Sequence, residues 1–318
     1  WVTSLYAATS MARLTLLYAP AVALVGSIGV VELTSRLMEF LAARPHKYKL
    51  LKQRSMSKEA VALSLIMIVI LLTPVMAITS IRSTHQPALI VSSSLPTLNY
   101  GYEFQDWLSA LEWIRTNIPN NTVIATWWDY GYWISVNTWK NTTCDNGTIN
   151  STQIKLVAKA FMSPEDVALK IFKSLKAEYV VVFEPFRFVT HQYLGNIYFP
   201  SGAGDFGKSW QMARWIGLDP RDYITWARVR DPMYGEMTAM VPKNSSKALN
   251  ATIYKLLFVK TSKRRYFIFE PYLRMLGVTG YEGPVMEIEP PKHFELVYSS
   301  EPNEWVLVFR IKYNKMGT

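Results

Sequence analysis

Val123-Ile124-Ala125-Thr126-Trp127-Trp128-Asp129-Tyr130-Gly131 joins a short apolar run to two adjacent indoles, a carboxylate and a flexible glycine. Val123–Thr126 reads as a buried strand, and the costly aromatics, with Tyr132 and Trp133 behind them, stand where that strand gives way to a loop. Just upstream, Glu103–Thr116 carries apolar residues at 104, 107, 108, 111 and 114, a helical stripe that Pro119 ends. Downstream, Ser163-Pro164-Glu165-Asp166 predicts a helix capped by Ser163 and running to about Lys176, followed by a strand over Glu178–Phe183. Helix and strand alternate, which predicts a mixed α/β core.

Beyond Tyr234 the pattern changes to apolar runs broken by turn residues. Phe294–Tyr298 and Trp305–Ile311, separated by Ser-Ser-Glu-Pro-Asn-Glu, read as a terminal β-hairpin. The organisation expected on this side of the chain is a linker over 83–100, a mixed α/β core over 101–236 and a β-rich C-terminal portion over 237–318.

The 318 residues are 50% hydrophobic, with a mean hydropathy of +0.06, more than a soluble enzyme usually carries. The excess lies near the start. Leu14–Val31 gives 18 residues without a charge and Ala60–Ile81 gives 22, each long enough for a helix to cross roughly 30 Å of hydrocarbon. Pro20 and Gly26 are tolerable in such a helix. Glu32 and Arg36, four residues apart, predict that the first helix continues beyond its apolar stretch. Between the spans, residues 44–58 hold Arg44, Lys47, Lys49, Lys52, Arg54 and Lys58 and no acid. Short basic loops near span ends are cytoplasmic, so 1–82 reads as two transmembrane helices with a cytoplasmic loop, and all that follows Arg82 is expected outside. That loop supplies six of the ten net positive charges, which argues against a nucleic-acid partner and for a lipid bilayer. Neither span has the order of a signal peptide.

One cysteine, Cys144, rules out an intramolecular disulfide framework and a Cys-cluster zinc site, and reads as structural. The four histidines have no metal-ligand spacing. The chain opens on Trp1 rather than Met, which reads as a fragment. Six N-x-Ser/Thr sequons begin at Asn120, Asn141, Asn146, Asn150, Asn244 and Asn250, all on the expected outer side, where N-glycans are added. They are candidate glycosylation sites, although so short a pattern also arises by chance.

The aromatic loop has a definite chemical capacity. Indole offers one hydrogen-bond donor and no acceptor, while a carboxylate only accepts. Trp127, Trp128 and Asp129 could therefore saturate a Ser or Thr hydroxyl, and a ligand lacking the hydroxyl would leave them unpaired at roughly 1–3 kcal/mol per group. The competing reading is a core corner in which the indoles pack and Asp129 caps the next helix. A second constellation, Asp205-x-x-Lys208-x-x-x-Met212, puts its three side chains on one helical face, at roughly 0°, 300° and 340° for 100° per residue. Alone it is equally an ordinary surface stripe with an i,i+3 ion pair.

Trp-Trp-Asp-Tyr-Gly followed by Asp-x-x-Lys-x-x-x-Met, behind a membrane region, resembles the catalytic subunit of oligosaccharyltransferase, in its archaeal AglB-like and eukaryotic forms. Arg13-Leu14 ahead of the Ala19-Pro20 helix and Asp145–Ile154 (DNGTINSTQI) extend the resemblance over essentially the whole chain. It implies an enzyme that transfers an oligosaccharide en bloc, with inversion, from a lipid diphosphate to the Asn of an N-x-Ser/Thr sequon, so that its partners are a lipid-diphosphate-linked oligosaccharide and an acceptor polypeptide. Trp127, Trp128 and Asp129 would hold the hydroxyl of the acceptor Ser or Thr. Met212 would contact the same side chain, favouring Thr through its methyl, and Asp205 and Lys208 would shape the pocket. Arg13 would pair with the donor diphosphate, which suits a guanidinium at the mouth of a span, although snorkelling is its simpler role. Tyr132 would also lie near the donor.

The resemblance further implies a divalent ion, Mn²⁺ or Mg²⁺, held by acidic motifs of an N-terminal membrane region. This chain departs from the family there: it has fewer spans and no Asp-x-Asp motif, and it is expected to recognise acceptor and part of the donor without completing catalysis. Two other classes stay open, a noncatalytic extracytoplasmic peptide-binding membrane protein and another lipid-phosphate-dependent membrane glycosyltransferase.

Overall fold

The structure, a computed structural model, describes residues 15–42, 67, 70, 71, 73–79, 105–231, 235–277 and 280–313. Two compact units are distinguished, Trp1–Gln86 and Pro87–Thr318.

In the first unit, α1 (Thr15–Ala42) is one helix of 28 residues. It continues through Glu32 and Arg36, whose side chains pair at 2.6 Å one turn apart, as the spacing predicts. Val22, Leu24, Val25, Ile28, Val30 and Val31 are exposed along it, an apolar surface of the kind that needs a covering. The described residues of the second predicted span are also helical, with Met67, Ile70, Leu71, Val75, Met76 and Ile78 exposed. Among the described residues no helix is long and apolar enough to cross a membrane. Arg13, the basic loop 44–58, much of the second span and the linker 83–100 lie outside the described residues.

The second unit begins with α2 (Asp106–Asn117), β1 (Val123–Ala125), a 3-10 turn over Trp128–Tyr130, α3 (Gly131–Thr138) and β2 (Asn141–Thr142). Then come α4 (Ser151–Met162), α5 (Glu165–Ser174), β3 (Ala177–Phe183), β4 (Phe186–His191), β5 (Gly195–Pro200) and α6 (Asp205–Trp215). A 3-10 turn, Pro220–Asp222, leads to β6 (Ile224–Asp231), β7 (Gly235–Pro242), α7 (Ser246–Asn250) and α8 (Thr252–Leu257). The chain closes with β8 (Tyr266–Phe267), α9 (Pro271–Met275), β9 (Tyr281–Glu282), β10 (Phe294–Ser299) and β11 (Val306–Ile311).

A five-stranded central sheet has the order β10-β11-β3-β1-β2, and two further sheets of three strands each have the orders β4-β5-β8 and β7-β6-β9. β1 is parallel to both β2 and β3, whereas β11 is antiparallel to β3 and to β10. Val180, Val181, Val182 and Phe183 are all buried, so β3 is covered on both faces, which is why it reads as an unbroken apolar run rather than an alternation. Helix α2 is tied to the β10–β11 turn by buried Asp106, whose Oδ1 accepts from Ser300 Oγ at 2.6 Å and from the N–H groups of Asn303 and Trp305 at 3.1 Å.

The mixed α/β core, the β-rich C-terminal portion and the terminal hairpin are present, with two differences from the sequence reading. Ser163 does not cap α5: the flanking residue is Pro164, with no side-chain cap bond, and the Ser163 carbonyl accepts instead from the Thr252 N–H and hydroxyl at 2.9 and 2.7 Å. The division expected at 236/237 falls within β7, and β11 pairs with β3 inside the central sheet. Residues far apart in sequence complete one sheet, which local patterning cannot reveal.

Candidate functional site

Because β1 and β3 are parallel neighbours, with Ala125 opposite Val180, both strands end at the same edge of the sheet. The loop holding Trp127–Asp129 leaves β1 there, and Glu184 leaves β3 there. In α/β sheets the crevice beyond the carboxyl ends of the strands is where ligands are received.

Local chemistry fixes the first loop. Trp127 is still extended, the Tyr130 N–H closes the 3-10 turn on the Trp127 carbonyl at 3.1 Å, and Gly131 starts α3. Gly131 admits no side chain: a Cβ there would lie 2.2 Å from the Cys144 carbonyl oxygen and 2.5 Å from Asp145 Cα. Asn146 finishes the loop, donating from Nδ2 to the Asp129 carbonyl at 2.9 Å and accepting from the Tyr132 N–H at 3.5 Å. Cys144 is buried and donates to the Thr126 carbonyl at 3.2 Å; burial pushes its thiol up to about 12, in keeping with a structural role.

The two sequence motifs meet at one ion pair. Lys208 Nζ lies 2.7 Å from Asp129 Oδ2, with the side chains 17% and 21% exposed. The same ammonium donates to the Tyr130 hydroxyl at 2.7 Å and stands 4.4 Å from the centre of the Tyr130 ring. Tyr130 is buried among Trp107, Trp133 and Phe183, with ring centres 4.9–5.8 Å away, and burial, then the charges of Asp205 and Asp129, raise its phenol well above its ordinary value.

The other predicted site residues are distributed around this pair. Trp127 is wholly buried, packing on Trp215 of α6 with ring centres 5.7 Å apart, and its Nε1 has no hydrogen-bond partner among the described residues. Trp128 is half-buried, 6.2 Å from the Trp127 ring. Met212 is also wholly buried, whereas Tyr132 is 46% exposed on α3. Arg13 is outside the described residues. Two simpler readings give way here. Asp129 caps no helix, since α3 follows Tyr130 without a side-chain cap bond. Asp205 and Lys208 do not form a surface pair: among the described residues Lys208 pairs with Asp129, and Asp205 is buried.

Asp205 and a residue that the sequence reading passed over, Glu184, form a reciprocal link. Asp205 Oδ2 accepts from the Phe183 N–H at 2.8 Å, while Glu184 Oε2 accepts from the Phe206 N–H at 2.9 Å. Glu184 Oε1 also accepts from the Gly202 N–H at 2.9 Å and from Ser201 Oγ at 3.2 Å. Burial raises the Glu184 carboxyl to about 8, against the lowering effect of its N–H donors. Burial raises Asp205 to about 7, opposed by the charge of Lys208 and the Phe183 N–H. The sequence did carry a signal for Glu184, an acid directly after a fully apolar strand.

Of the sequon asparagines, Asn120, Asn141, Asn150, Asn244 and Asn250 are exposed and Asn146 is half-buried. Asn150 caps α4, accepting from the Gln153 N–H at 3.0 Å. Among the described residues no group of three or more His, Cys, Asp or Glu could hold a metal ion.

Residues 120–193, which contain the aromatic loop, match the family model of the STT3/PglB/AglB core domain. The chain is similar in sequence to glycosyltransferase subunits named STT3. It is 28% identical over 309 residues to the dolichyl-diphosphooligosaccharide–protein glycosyltransferase subunit STT3 of Dictyostelium discoideum, covering 94% of this chain and 39% of that protein. The STT3 subunit of Saccharomyces cerevisiae is 25% identical over 309 residues, covering 96% of this chain and 40% of that protein. The Schizosaccharomyces pombe subunit is 35% identical over 96 residues, 30% of this chain and 13% of that protein. The chain thus spans about two fifths of the length of the first two relatives. Among solved structures, the C-terminal globular domain of an oligosaccharyltransferase from Archaeoglobus fulgidus is a coarse likeness, with a TM-score of 0.37 and 21% identity, covering 67% of this chain and 100% of that one.

Proposed function

We propose that this chain is the acceptor-recognising, C-terminal part of a membrane oligosaccharyltransferase that moves a lipid-diphosphate-linked oligosaccharide onto the Asn of N-x-Ser/Thr sequons. The observation that carries the reading is the 2.7 Å ion pair between Asp129 and Lys208, which brings two distant motifs to the carboxyl edge of the central sheet. A carboxylate has about four lone-pair sites and Lys208 occupies only one side of it, so Asp129 keeps capacity to accept from an acceptor hydroxyl. The half-buried Trp128 ring beside Asp129 shields that contact from water, and the buried Met212 lends the helix that carries Lys208 an apolar inner face.

In this reading the chain holds the acceptor while other parts of the protein perform the transfer. An amide nitrogen is a poor nucleophile and a diphosphate leaving group needs its charge neutralised. A divalent Mn²⁺ or Mg²⁺ ion would supply that electrostatic help, and its ligands are assigned to sequence N-terminal to this chain. Arg13 and Tyr132 are assigned to the donor, Arg13 as a guanidinium that grips the diphosphate in two places. The two apolar segments near the start would cross the bilayer, with 44–58 in the cytoplasm and the α/β unit on the cell exterior or in the ER lumen. There the five exposed sequon asparagines, Asn120, Asn141, Asn150, Asn244 and Asn250, are candidates for glycosylation, whereas half-buried Asn146 is held to the Asp129 carbonyl.

The test uses the full-length parent protein, its lipid-linked donor and an Asn-x-Thr peptide. Because Trp127 is a core residue, Trp127→Ala would confound packing with recognition. Asp129→Asn keeps the shape and removes the charge: glycosylation of the peptide is expected to collapse, while the melting temperature falls only by the few degrees that loss of the ion pair costs. Full activity in Asp129→Asn would overturn the assignment of acceptor recognition to this loop.

A further inference from the structure

We infer that Glu184 is a positioning residue for acceptor recognition: by holding the N-terminal turn of α6 to the end of β3, it sets where Lys208 meets Asp129. The inference rests on the reading of this site as the acceptor site.

Three features converge on it. Glu184 is wholly buried and spends both carboxyl oxygens on the approach to α6, on Ser201, Gly202 and Phe206. Asp205 returns the link from the helix to the strand through the Phe183 N–H. The two backbones are also in direct contact: a Cβ on Gly204 would lie 2.3 Å from the Phe183 carbonyl oxygen and 2.6 Å from Glu184 Cα, and one on Gly207 would lie 1.9 Å from the Gly202 oxygen. Helix α6 therefore starts at one fixed height above β3. Lys208 is one turn further along, and the Asp129 loop leaves the adjacent parallel strand, so the separation of Lys208 from Asp129 follows from that height. Glu184 touches neither of them in the hydrogen-bond pattern, and its effect passes through α6.

The side chain does more here than cap a helix. The first turn of any helix has orphan N–H groups, and water satisfies them where it can reach. Phe206 is wholly buried, so truncation leaves its N–H unpaired where water cannot reach, while part-exposed Gly202 also loses its acceptor, and the turn relieves the Phe206 N–H only by moving. A glutamine can accept from one of the two N–H groups but presents its own N–H₂ to the other. The two substitutions should therefore rank in a definite order.

The experiment measures the full-length parent enzyme with wild type, Glu184→Gln, Glu184→Ala and Asp129→Asn, titrating acceptor peptide and lipid-linked donor separately. Glu184→Ala is expected to raise the KM for an Asn-x-Thr peptide about tenfold, equivalent to about 1.4 kcal/mol of lost acceptor binding, with Glu184→Gln in between and the donor KM unchanged. An unchanged acceptor KM in both Glu184 variants, while Asp129→Asn raises it, would overturn the positioning role and leave the site reading intact. An unchanged acceptor KM in Asp129→Asn as well would overturn the site reading itself. Should Glu184→Ala not accumulate, Glu184→Gln alone decides: acceptor and donor KM rising equally, or neither rising, refutes the inference.

Discussion

The ion pair between Lys208 and Asp129 lends itself to a double-mutant cycle. Lys208→Met keeps the length of the stem and removes the ammonium; Asp129→Asn keeps the shape and removes the charge. Two unit charges 2.7 Å apart attract by about 6 kcal/mol at an effective dielectric of about 20, but most of that is offset by the water both groups give up. Exposed pairs retain up to about 1 kcal/mol, and breaking a buried one costs about 3–5 kcal/mol. With side chains 17% and 21% exposed this pair lies between, so a coupling of about 1.5–2.5 kcal/mol is expected. Lys208→Met alone should cost somewhat more, because the buried Tyr130 hydroxyl also loses its 2.7 Å donor, worth about 1 kcal/mol. The assay is denaturant unfolding of each variant in the full-length parent, which reads the coupling as stability, alongside kcat/KM for a sequon peptide. The double variant should be scarcely worse than the worse single one. Effects that simply add, with a coupling below about 0.5 kcal/mol, would refute the claim that the two motifs act as one unit.

Two further expectations concern stability. Gly204→Ala places a methyl 2.3 Å from the Phe183 carbonyl oxygen, where backbone must yield, so it should cost more than about 2 kcal/mol and lower the melting temperature; an unshifted melt would mean that α6 does not start where described. The raised carboxyls make stability depend on pH: Glu184 moves from 4.5 to about 8 and Asp205 from 3.8 to about 7 on folding, so the native state binds more protons through this window. Their contribution is fully present below pH ~4 and is lost as pH rises through 7 and 8. Melting temperature should therefore fall between about pH 5 and pH 8.5, and Glu184→Gln should flatten the slope by up to about 1.4 kcal/mol per pH unit; an identical slope in the variant would show that Glu184 does not titrate there.

Much of this was legible in the sequence where one short stretch carries its own information. The strand at Val123, the helix of Asp106–Asn117 and the hairpin of Phe294–Ile311 follow from periodicity and turn residues, and the donor and acceptor count of Trp-Trp-Asp follows from side-chain chemistry alone. What local patterning could not give is the consequence of pairing across distance. The hairpin looks like a separate closing module until β11 is seen beside β3. Asp205 looks like half of a surface ion pair until the Phe183 N–H claims it, and Glu184 looks like the polar end of a strand until α6 docks on it. The resemblance gives Trp127 a bond to the acceptor hydroxyl and Met212 a contact with the same side chain, yet both are wholly buried here, whereas Trp128, Asp129 and Lys208 are part-exposed, a distinction that spacing alone does not carry.

The central claim is that this edge of the sheet selects a hydroxyl. The most direct measurement compares an Asn-x-Thr peptide with the near-isosteric Asn-x-Val peptide in the full-length parent and in Asp129→Asn. Val keeps the volume and loses the hydroxyl, so the groups that would bond it are left unpaired at about 1–3 kcal/mol each. The parent is expected to favour the Thr peptide in kcat/KM by at least about tenfold, and Asp129→Asn to erase most of that preference. A preference that survives intact in Asp129→Asn, or none in the parent, would contradict it.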